Sequence, residues 1–326
     1  MKFGVLQFFS WPERRIPLTE VYQRALQRID IMDNAGYDAV WLAEHHFSTY
    51  SVCPSVHLMG MHVADRTQNI RIGTGVSLAA FYHPLRLAEE VALLDNLSGG
   101  RINWGAGRGF DRVEMKNFGV PIDESYERFR ENVDIVLKAW EPGPLTFNGK
   151  FHQFEEVEVL PKPLQDPMPV WMATTTEEAV RWSAEQGHSI LMDPHSSHSH
   201  IGEKQKLYTD TLKELATTHQ PDIPVARLLA IAESDAKAEE IARAGATWTV
   251  EGYAKNKKAG GPESVIPQED RVEHYMNEVI IHGSPAKVVD QLRQLEEEID
   301  LNYLLASILS HDTFIHLTDQ VLPEFL

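Results

Sequence analysis

The stretch AVWLAEHHF at residues 39–47 joins a short apolar run directly to ionisable residues. Residues 39–43 are apolar or small, which is typical of a strand buried on both faces in a parallel sheet. Glu44, His45 and His46 follow at once. A carboxylate and two imidazoles are costly to bury without partners, but they suit a strand end that faces a ligand. We therefore predict a functional site at Glu44, His45 and His46; the alternative is that they make structural or surface contacts.

Outward from this stretch, predicted strands and helices alternate along the chain. Several helix starts are marked by local chemistry, such as the proline at the first turn after His83. The eight predicted strands are residues 2–9, 39–43, 70–77, 101–106, 170–173, 188–192, 224–232 and 303–308. Eight β/α units in 326 residues predict a single (β/α)8 TIM barrel over residues 1–326. A doubly wound open sheet is the structural alternative.

Two segments interrupt the alternation. Residues 145–159 have the pattern of a β-hairpin with Asn148-Gly149 at its turn, and a proline-rich segment follows. We interpret both as an excursion after the fourth barrel strand. Residues 251–270 combine glycine, proline and charge with little periodicity, which predicts a mobile loop after the seventh strand.

The composition argues against several classes of function. The formal net charge is −18, and no basic stripe is available for phosphate contacts, so a nucleic-acid role is disfavoured. No apolar run reaches the length of a membrane span, and the start MKFGVLQFF lacks a signal-peptide pattern. The lone Cys53 permits no intrachain disulfide and suits a reducing compartment. These features predict a cytoplasmic protein without nucleic-acid or membrane partners, in which Cys53 is structural.

In a barrel, the strand ends would bring three further segments to the same rim as Glu44. The third predicted strand ends in RIGTGVSLAAF, whose small residues allow a flat ligand to approach the backbone. The fourth ends in GAGRGF, where Arg108 suits a phosphate, although it could instead pair with Asp111 or Glu114. The fifth ends in ATTT at residues 173–176, which is either an anion site at a helix start or simply a helix cap.

A fifth place, after the sixth predicted strand, contains three histidines at metal-like spacing: His195, His198 and His200. A metal needs preorganised ligands with partners of their own. The surrounding segment is rich in serine and is predicted to be a flexible loop. We therefore interpret it as a polar loop at the mouth of the site rather than as a metal centre.

The chain resembles the bacterial luciferase-like flavin monooxygenases over essentially its whole length. The most specific match is GYDAVWLAEHHF at residues 36–47, and IRIGTGV and HPLRLAEEVALLDNLSGGRINWGAGRGF continue it. MKFGVL, GSPAKVV and VLPEFL also resemble family landmarks. The resemblance implies an FMN-binding barrel that takes reduced flavin (FMNH2) from a separate NAD(P)H:flavin reductase. It further implies that O2 converts this flavin to a C4a-peroxyflavin, which oxygenates a small organic substrate such as an aldehyde or ketone. A homodimer is also expected.

Carried onto this sequence, the resemblance places Glu44 near the flavin ring and makes His45 the acid–base candidate, with His46 supporting it. It implies a cis peptide bond between Gly75 and Val76 under the ring. The lid that shields the flavin would be residues 251–270. The residues assigned to the cofactor are Gly75, Val76, Arg108, Arg128, Ala173, Thr174 and Thr175, of which Arg108 would hold the phosphate with help from the threonines and Arg128.

Two positions depart from the light-producing luciferase subunit, so light emission is not expected to follow from the resemblance. Gly107 stands where that subunit has a cysteine, and Thr174 stands where it has an acidic residue. Three other functions stay open: a deazaflavin (coenzyme F420) hydride-transfer enzyme, a metal-dependent barrel hydrolase and a non-catalytic flavin-binding subunit. The hydrolase lacks the His-x-His expected after the first strand, where Gln7 stands, and an intact EHH argues against a scaffold. No motif names the substrate.

Overall fold

Eight parallel strands close into a barrel surrounded by helices in a computed structural model of the protein. The structure describes residues 1–217, 222–256 and 271–326, and it describes the side chains of all of these residues except 253–256. In chain order the strands are β1 (Lys2–Gln7), β2 (Ala39–Leu42), β3 (Arg71–Thr74), β4 (Ser77–Leu78), β5 (Ile102–Gly107), β6 (Leu145–Asn148), β7 (Gln153–Val157), β8 (Val170–Thr174), β9 (Ser189–Met192), β10 (Val225–Ile231), β11 (Ile281–Gly283) and β12 (Tyr303–Ile308). The barrel order is β1-β2-β3-β5-β8-β9-β10-β12, and β12 closes it by pairing with β1. The predicted (β/α)8 barrel is therefore confirmed.

Helices follow the barrel strands and cover them on the outside. They are α1 (Leu18–Met32), α2 (Val56–Arg66), α3 (Pro84–Leu97), α4 (Arg112–Asn117), α5 (Ser125–Trp140), α6 (Glu177–Glu185), α7 (His198–Glu214), α8 (Asp235–Asn256), α9 (Arg271–Glu278), α10 (Pro285–Ile299) and α11 (His311–His316). The proline predicted to open a helix after His83 is the first residue of α3. Within the described part of the chain, none of the helices is long and apolar enough to cross a membrane.

The hairpin predicted after the fourth barrel strand is confirmed. Strands β6 and β7 pair only with each other, in antiparallel register with Asn148 opposite Gln153. The turn is closed by the backbone N–H of Gly149, which donates to the carbonyl oxygen of His152. The excursion therefore leaves the barrel and returns to it at β8.

Two segments predicted to be loops, the one with the three histidines and residues 251–270, are partly helical, so both predictions are corrected. Helix α7 already begins at His198, because the Ser197 side chain accepts from the backbone N–H of His200 and caps the helix. Helix α8 continues through Asn256, so that residues 251–256 are helical; residues 257–270, the rest of the predicted lid, lie outside the described residues.

Sequence reasoning also missed α4, α9 and β11. Strand β11 pairs in parallel with the carboxyl end of β10, with Leu229 opposite Ile281. Helix α9 packs beneath α8 through Tyr275 and Met276, which cluster with Ala242 and other buried residues. This packing explains why α8 extends so far despite two glycines, since tertiary contacts routinely override helix propensity.

Trp41 fills the barrel interior and requires a glycine opposite it. Its side chain is fully buried and stands edge-on to Trp171, with ring centroids 5.3 Å apart. The register of β2 and β3 pairs Trp41 with Gly73. A Cβ at Gly73 would lie 2.2 Å from Trp41 Cδ2, which is far inside van der Waals contact.

We expect the substitution Gly73→Ala to lower the free energy of unfolding by about 1–3 kcal/mol, the usual cost of overpacking a core. The reason is that the indole of Trp41 must shift within a closed barrel. Urea unfolding followed by circular dichroism measures the change. The matched control is Gly252→Ala, where a Cβ would meet only Tyr50 at 3.5 Å. A Gly73→Ala protein as stable as the wild type would contradict this account of the barrel interior.

Candidate active site

A cavity of about 370 Å³ opens at the carboxyl ends of the barrel strands. Eight of the residues proposed from the sequence line it: Glu44, His45, Gly75, Val76, Arg108, Ala173, Thr174 and Thr175. His46 and Arg128 are not among its lining residues. The convergence predicted from four separate strand ends is therefore a feature of the folded chain.

Glu44 is a buried carboxylate that hydrogen bonds hold in place. It is 2% exposed. Its Oε1 accepts from the Tyr82 hydroxyl at 2.9 Å and lies 3.0 Å from His46 Nε2, while its Oε2 accepts from the backbone N–H of Leu78 at 3.3 Å. Burial and the adjacent Glu44 raise the pKa of Tyr82, which keeps that hydroxyl a donor. Glu44 thus fixes the turn after β3 to the end of β2.

The ring of His45 faces the cavity among aromatic side chains. It stacks on Phe8 with centroids 6.0 Å apart and meets Tyr50 edge-on at 5.1 Å. Its Nδ1 lies 3.5 Å from Glu114 Oε1, and its backbone N–H donates to the carbonyl oxygen of Cys53 at 3.2 Å. One ring nitrogen therefore faces a buried carboxylate, an arrangement that favours a proton on that nitrogen.

His46 turns away from the cavity and supports Glu44. Besides its ring contact with Glu44, its backbone N–H donates to Glu114 Oε1 at 2.8 Å. Its ring packs edge-on against Phe118 with centroids 4.7 Å apart. Glu114 therefore contacts both histidines. The sequence pattern suggested Glu114 only as a partner for Arg108, because α4, the helix that carries it to the histidines, is not predicted.

The turn between β3 and β4 forms one wall of the cavity. The Gly75–Val76 peptide bond is cis, as the resemblance implied. The Gly75 N–H donates to the carbonyl oxygen of Leu42 at 2.7 Å. A Cβ at Gly107 would lie 2.4 Å from Val76 Cγ2, so glycine at 107 leaves room for Val76 at the wall. The close approach predicted for a flat ligand is thus available.

Arg108 also lines the cavity, and two neighbouring side chains hold its guanidinium. Its Nη1 donates to Ser125 Oγ at 2.9 Å, and its guanidinium carbon lies 4.1 Å from the centroid of the Tyr126 ring. Among the described residues it forms no ion pair with a carboxylate. The alternative partners are engaged elsewhere: Asp111 caps α4 through the N–H of Val113, and burial raises the pKa of Asp111.

The three threonines after β8 have different surroundings. Thr176 is the cap of α6 and accepts from the N–H of Ala179 at 3.2 Å. Thr174 is buried, with its hydroxyl 3.8 Å from Met192 Sδ. Thr175 is exposed at the cavity. The helix-cap interpretation is therefore confirmed for Thr176, and Thr175 is the member of the run whose side chain is exposed at the cavity.

Arg130 lines the cavity where Arg128 does not. The Arg130 guanidinium carbon lies 5.2 Å from the Trp182 ring centroid, and Nη2 pairs with Glu178 at 2.7 Å. Arg128 instead pairs with Glu124 and lies over Phe151, 4.2 Å from its centroid. Helical spacing could have found Arg130, since it is four residues after Tyr126, which carries Arg108 on its ring.

Of the three histidines in the segment after β9, only His195 lines the cavity, beside Asp193 and Pro194. Asp193 accepts from the N–H groups of His195 and Ser196, and His195 Nδ1 lies 3.0 Å from the Tyr275 hydroxyl. Burial alone would raise the pKa of Asp193, but Lys204 and other nearby positive groups lower it. In the described ranges, no three His, Cys, Asp or Glu side chains come together in a way that could hold a metal ion.

Comparisons with known proteins agree with this geometry. The sequence model of the luciferase-like monooxygenase family matches residues 1–300. The oxygenase component of a flavin-dependent trigonelline monooxygenase from Acinetobacter baylyi is 28% identical over 231 residues, which cover 68% of this chain and 63% of that protein. The crystal structure of a monooxygenase from Streptomyces bottropensis superposes with a TM-score of 0.86 at 25% identity and full coverage of both chains.

More distant structures share the fold alone. The oxygenating constituent of 3,6-diketocamphane monooxygenase from Pseudomonas putida, in complex with FMN, has a TM-score of 0.77 at 19% identity, covering 100% of this chain and 99% of that one. Structures of F420-dependent enzymes, 14% and 19% identical, have the same fold. Two further curated relatives are matched over only 49% and 55% of their length, about half. On the match over residues 1–300, this chain belongs to the luciferase-like monooxygenase family.

Proposed function

We propose that this chain is the oxygenase component of a two-component, FMN-dependent monooxygenase. It would take reduced FMN from a separate NAD(P)H:flavin reductase and use O2 to oxygenate a small organic substrate, such as an aldehyde or ketone. The observation that carries the proposal is one cavity lined by Arg108 and Thr175, which can donate to an anion, by Val76, and by His45 among aromatic rings. The similarity to a protein named as the oxygenase component of a flavin-dependent monooxygenase supports the proposal that a separate reductase supplies the flavin.

The residues present suit the chemistry of FMN. Arg108 and Thr175 offer donors to a phosphate beside the start of α6, where backbone N–H groups favour an anion. Gly107 and Gly75 let the backbone approach a planar ring system, and Val76 offers an apolar contact surface for it. Arg130 also lines the cavity, where its guanidinium pairs with Glu178. When bound, reduced FMN would supply the two electrons that activate O2.

The protein's own groups would manage water and protons. Phe8, Tyr50 and Phe110 surround His45 and can exclude water from the reacting atoms. His45 is proposed as the acid–base group, with Glu114 beside Nδ1 orienting its ring so that Nε2 can hold or donate a proton. Glu44 would keep the Val76 wall in place through Leu78. In the net reaction, one oxygen atom enters the substrate and the other leaves as water.

A deazaflavin-dependent hydride transfer is the second candidate, because F420-dependent enzymes share this barrel. The two proposals differ in the cofactor and in the need for O2. The metal-dependent hydrolase has no cluster of suitable ligands in its favour among the residues described. A non-catalytic flavin-binding subunit would leave the arrangement of His45 and Glu114 without a purpose.

The test is anaerobic titration with reduced FMN, followed by rapid mixing with oxygenated buffer while the flavin absorbance is recorded. We expect saturable binding and a delayed return to oxidised flavin, because the cavity shields the cofactor. Parallel titration with reduced F420 is the control. Tight binding of F420 without binding of FMN would replace the monooxygenase proposal by hydride transfer, and binding of neither would refute both.

A further inference from the structure

Three hydrogen-bonded side chains lie behind the Val76 wall, outside the cavity. Glu90 of α3 has its Oε2 3.0 Å from His57 Nδ1, and His57 Nε2 lies 2.9 Å from Ser77 Oγ. His57 and Ser77 are buried, and none of the three lines the cavity. A chain of polar groups therefore runs from the protein surface to the residue next to Val76.

The direction of these hydrogen bonds follows from the charge on Glu90. The hydrogen bond from His57, supported by Arg86, lowers the pKa of Glu90 to about 2. Glu90 is therefore a carboxylate at neutral pH and can only accept, so His57 carries a proton on Nδ1. In a neutral imidazole Nε2 then accepts from the Ser77 hydroxyl, whose orientation is thereby fixed.

This chain of groups and Glu44 hold the same turn from opposite sides. Ser77 pairs with Ala106 and Leu78 with Gly107 in the ladder between β4 and β5. On the cavity side, Glu44 accepts from the Leu78 N–H. Two carboxylates thus anchor consecutive residues of one wall, Glu44 directly and Glu90 through His57.

We infer that Ser77, His57 and Glu90 are positioning residues that set the Val76 wall against the ring of the bound flavin. The inference rests on the proposed function, because it takes the cavity to be the flavin site. None of the three lines the cavity, so none would touch the cofactor; they would act through Val76 and Leu78. The competing explanation is that they only join α2 to α3, in which case they would contribute to stability and to nothing else.

The experiment compares Ser77→Ala, Ser77→Cys and Glu90→Gln with the wild type by three measurements: the Kd of FMN, the absorption spectrum of bound FMN, and the rate of hydrogen peroxide release after O2 is added to the reduced FMN complex. We expect Ser77→Ala to raise the Kd about threefold to tenfold, to shift the flavin spectrum and to speed peroxide release, because a misplaced wall weakens cofactor positioning. Ser77→Cys keeps a polar group at this position but weakens the hydrogen bond to His57, so it should behave like Ser77→Ala.

The matched control is Arg86→Gln, which removes the exposed partner of Glu90 and leaves the hydrogen bonds of His57 to Glu90 and Ser77 in place. We expect wild-type flavin properties from it. Variants that bind flavin normally with an unchanged spectrum and normal peroxide release, but melt at a lower temperature, would overturn the inference. If Ser77→Ala does not fold, Glu90→Gln decides by the same measurements. A wild-type protein that binds no flavin would instead refute the proposed function.

A measurement on the free protein is independent of the cofactor. Nitrogen-15 NMR of His57 should show the proton on Nδ1 at neutral pH, and Ser77→Ala should perturb the Nε2 signal. A proton on Nε2 alone in the wild type would contradict the proposed direction of the hydrogen bonds from Ser77 through His57 to Glu90, whether or not flavin binds.

Discussion

Replacing Arg108 by alanine should weaken FMN binding by about 10- to 150-fold, since a charge-assisted hydrogen bond to a phosphate is worth roughly 1.5–3 kcal/mol. Arg108 is prepared for this role by its surroundings. Ser125 and the Tyr126 ring hold its guanidinium at the cavity, and in the described residues no carboxylate neutralises it. Fluorescence titration of FMN gives the Kd of both proteins.

Riboflavin sharpens this measurement because it lacks the phosphate. Arg108→Ala should change the Kd of riboflavin much less than that of FMN. The matched control is Arg128→Ala, since Arg128 pairs with Glu124 away from the cavity and should leave both Kd values unchanged. An equal loss for riboflavin and FMN would show that Arg108 supports the fold of the site rather than the phosphate. Weaker FMN binding by Arg128→Ala, with Arg108→Ala unaffected, would show that the phosphate binds at Arg128 and not at Arg108.

The barrel could be predicted from the sequence because its signals are local. Each strand is a short apolar run, and helix starts such as His83-Pro84 carry their own chemistry. The cis bond at Gly75–Val76 came from the family resemblance, since no local pattern of residue types requires it. The fold and the place of the site therefore follow from local residue patterns, whereas the cis bond and the individual roles of the site residues rest on the resemblance.

The parts that sequence reasoning missed depend on contacts between distant residues. Glu114 reaches the histidines only because α4 follows β5 at the rim, 68 residues along the chain from His46. Helix α8 extends because α9, itself unpredicted, covers its apolar face. The serine-rich neighbours of His198 predict a loop, yet one of these serines is the cap that starts α7. Polar composition here indicates the boundary of a helix and not a loop.

His45 and Glu114 form the pair on which the proposed chemistry depends. The ring of His45 is held by Phe8 and Tyr50, and Nδ1 faces Glu114. Removing the imidazole leaves Arg108, Val76 and the Glu44 hydrogen bonds intact. Loss of the imidazole should therefore impair the oxygenation reaction and leave cofactor binding unchanged.

We expect His45→Ala to bind FMN within about threefold of the wild type but to release most of the consumed O2 as hydrogen peroxide, because general acid–base groups typically contribute 10²–10⁴-fold to their step. Peroxide and product are measured together, with an aldehyde or ketone that the wild type oxygenates as the substrate, while a flavin reductase supplies reduced FMN. The control is His62→Ala, an exposed histidine on α2, which should keep wild-type coupling. Glu114→Gln should give an intermediate loss, since it keeps the shape beside Nδ1 but removes the charge. Wild-type coupling in His45→Ala would remove His45 from the acid–base role, and a large rise in its FMN Kd would assign it to cofactor binding instead.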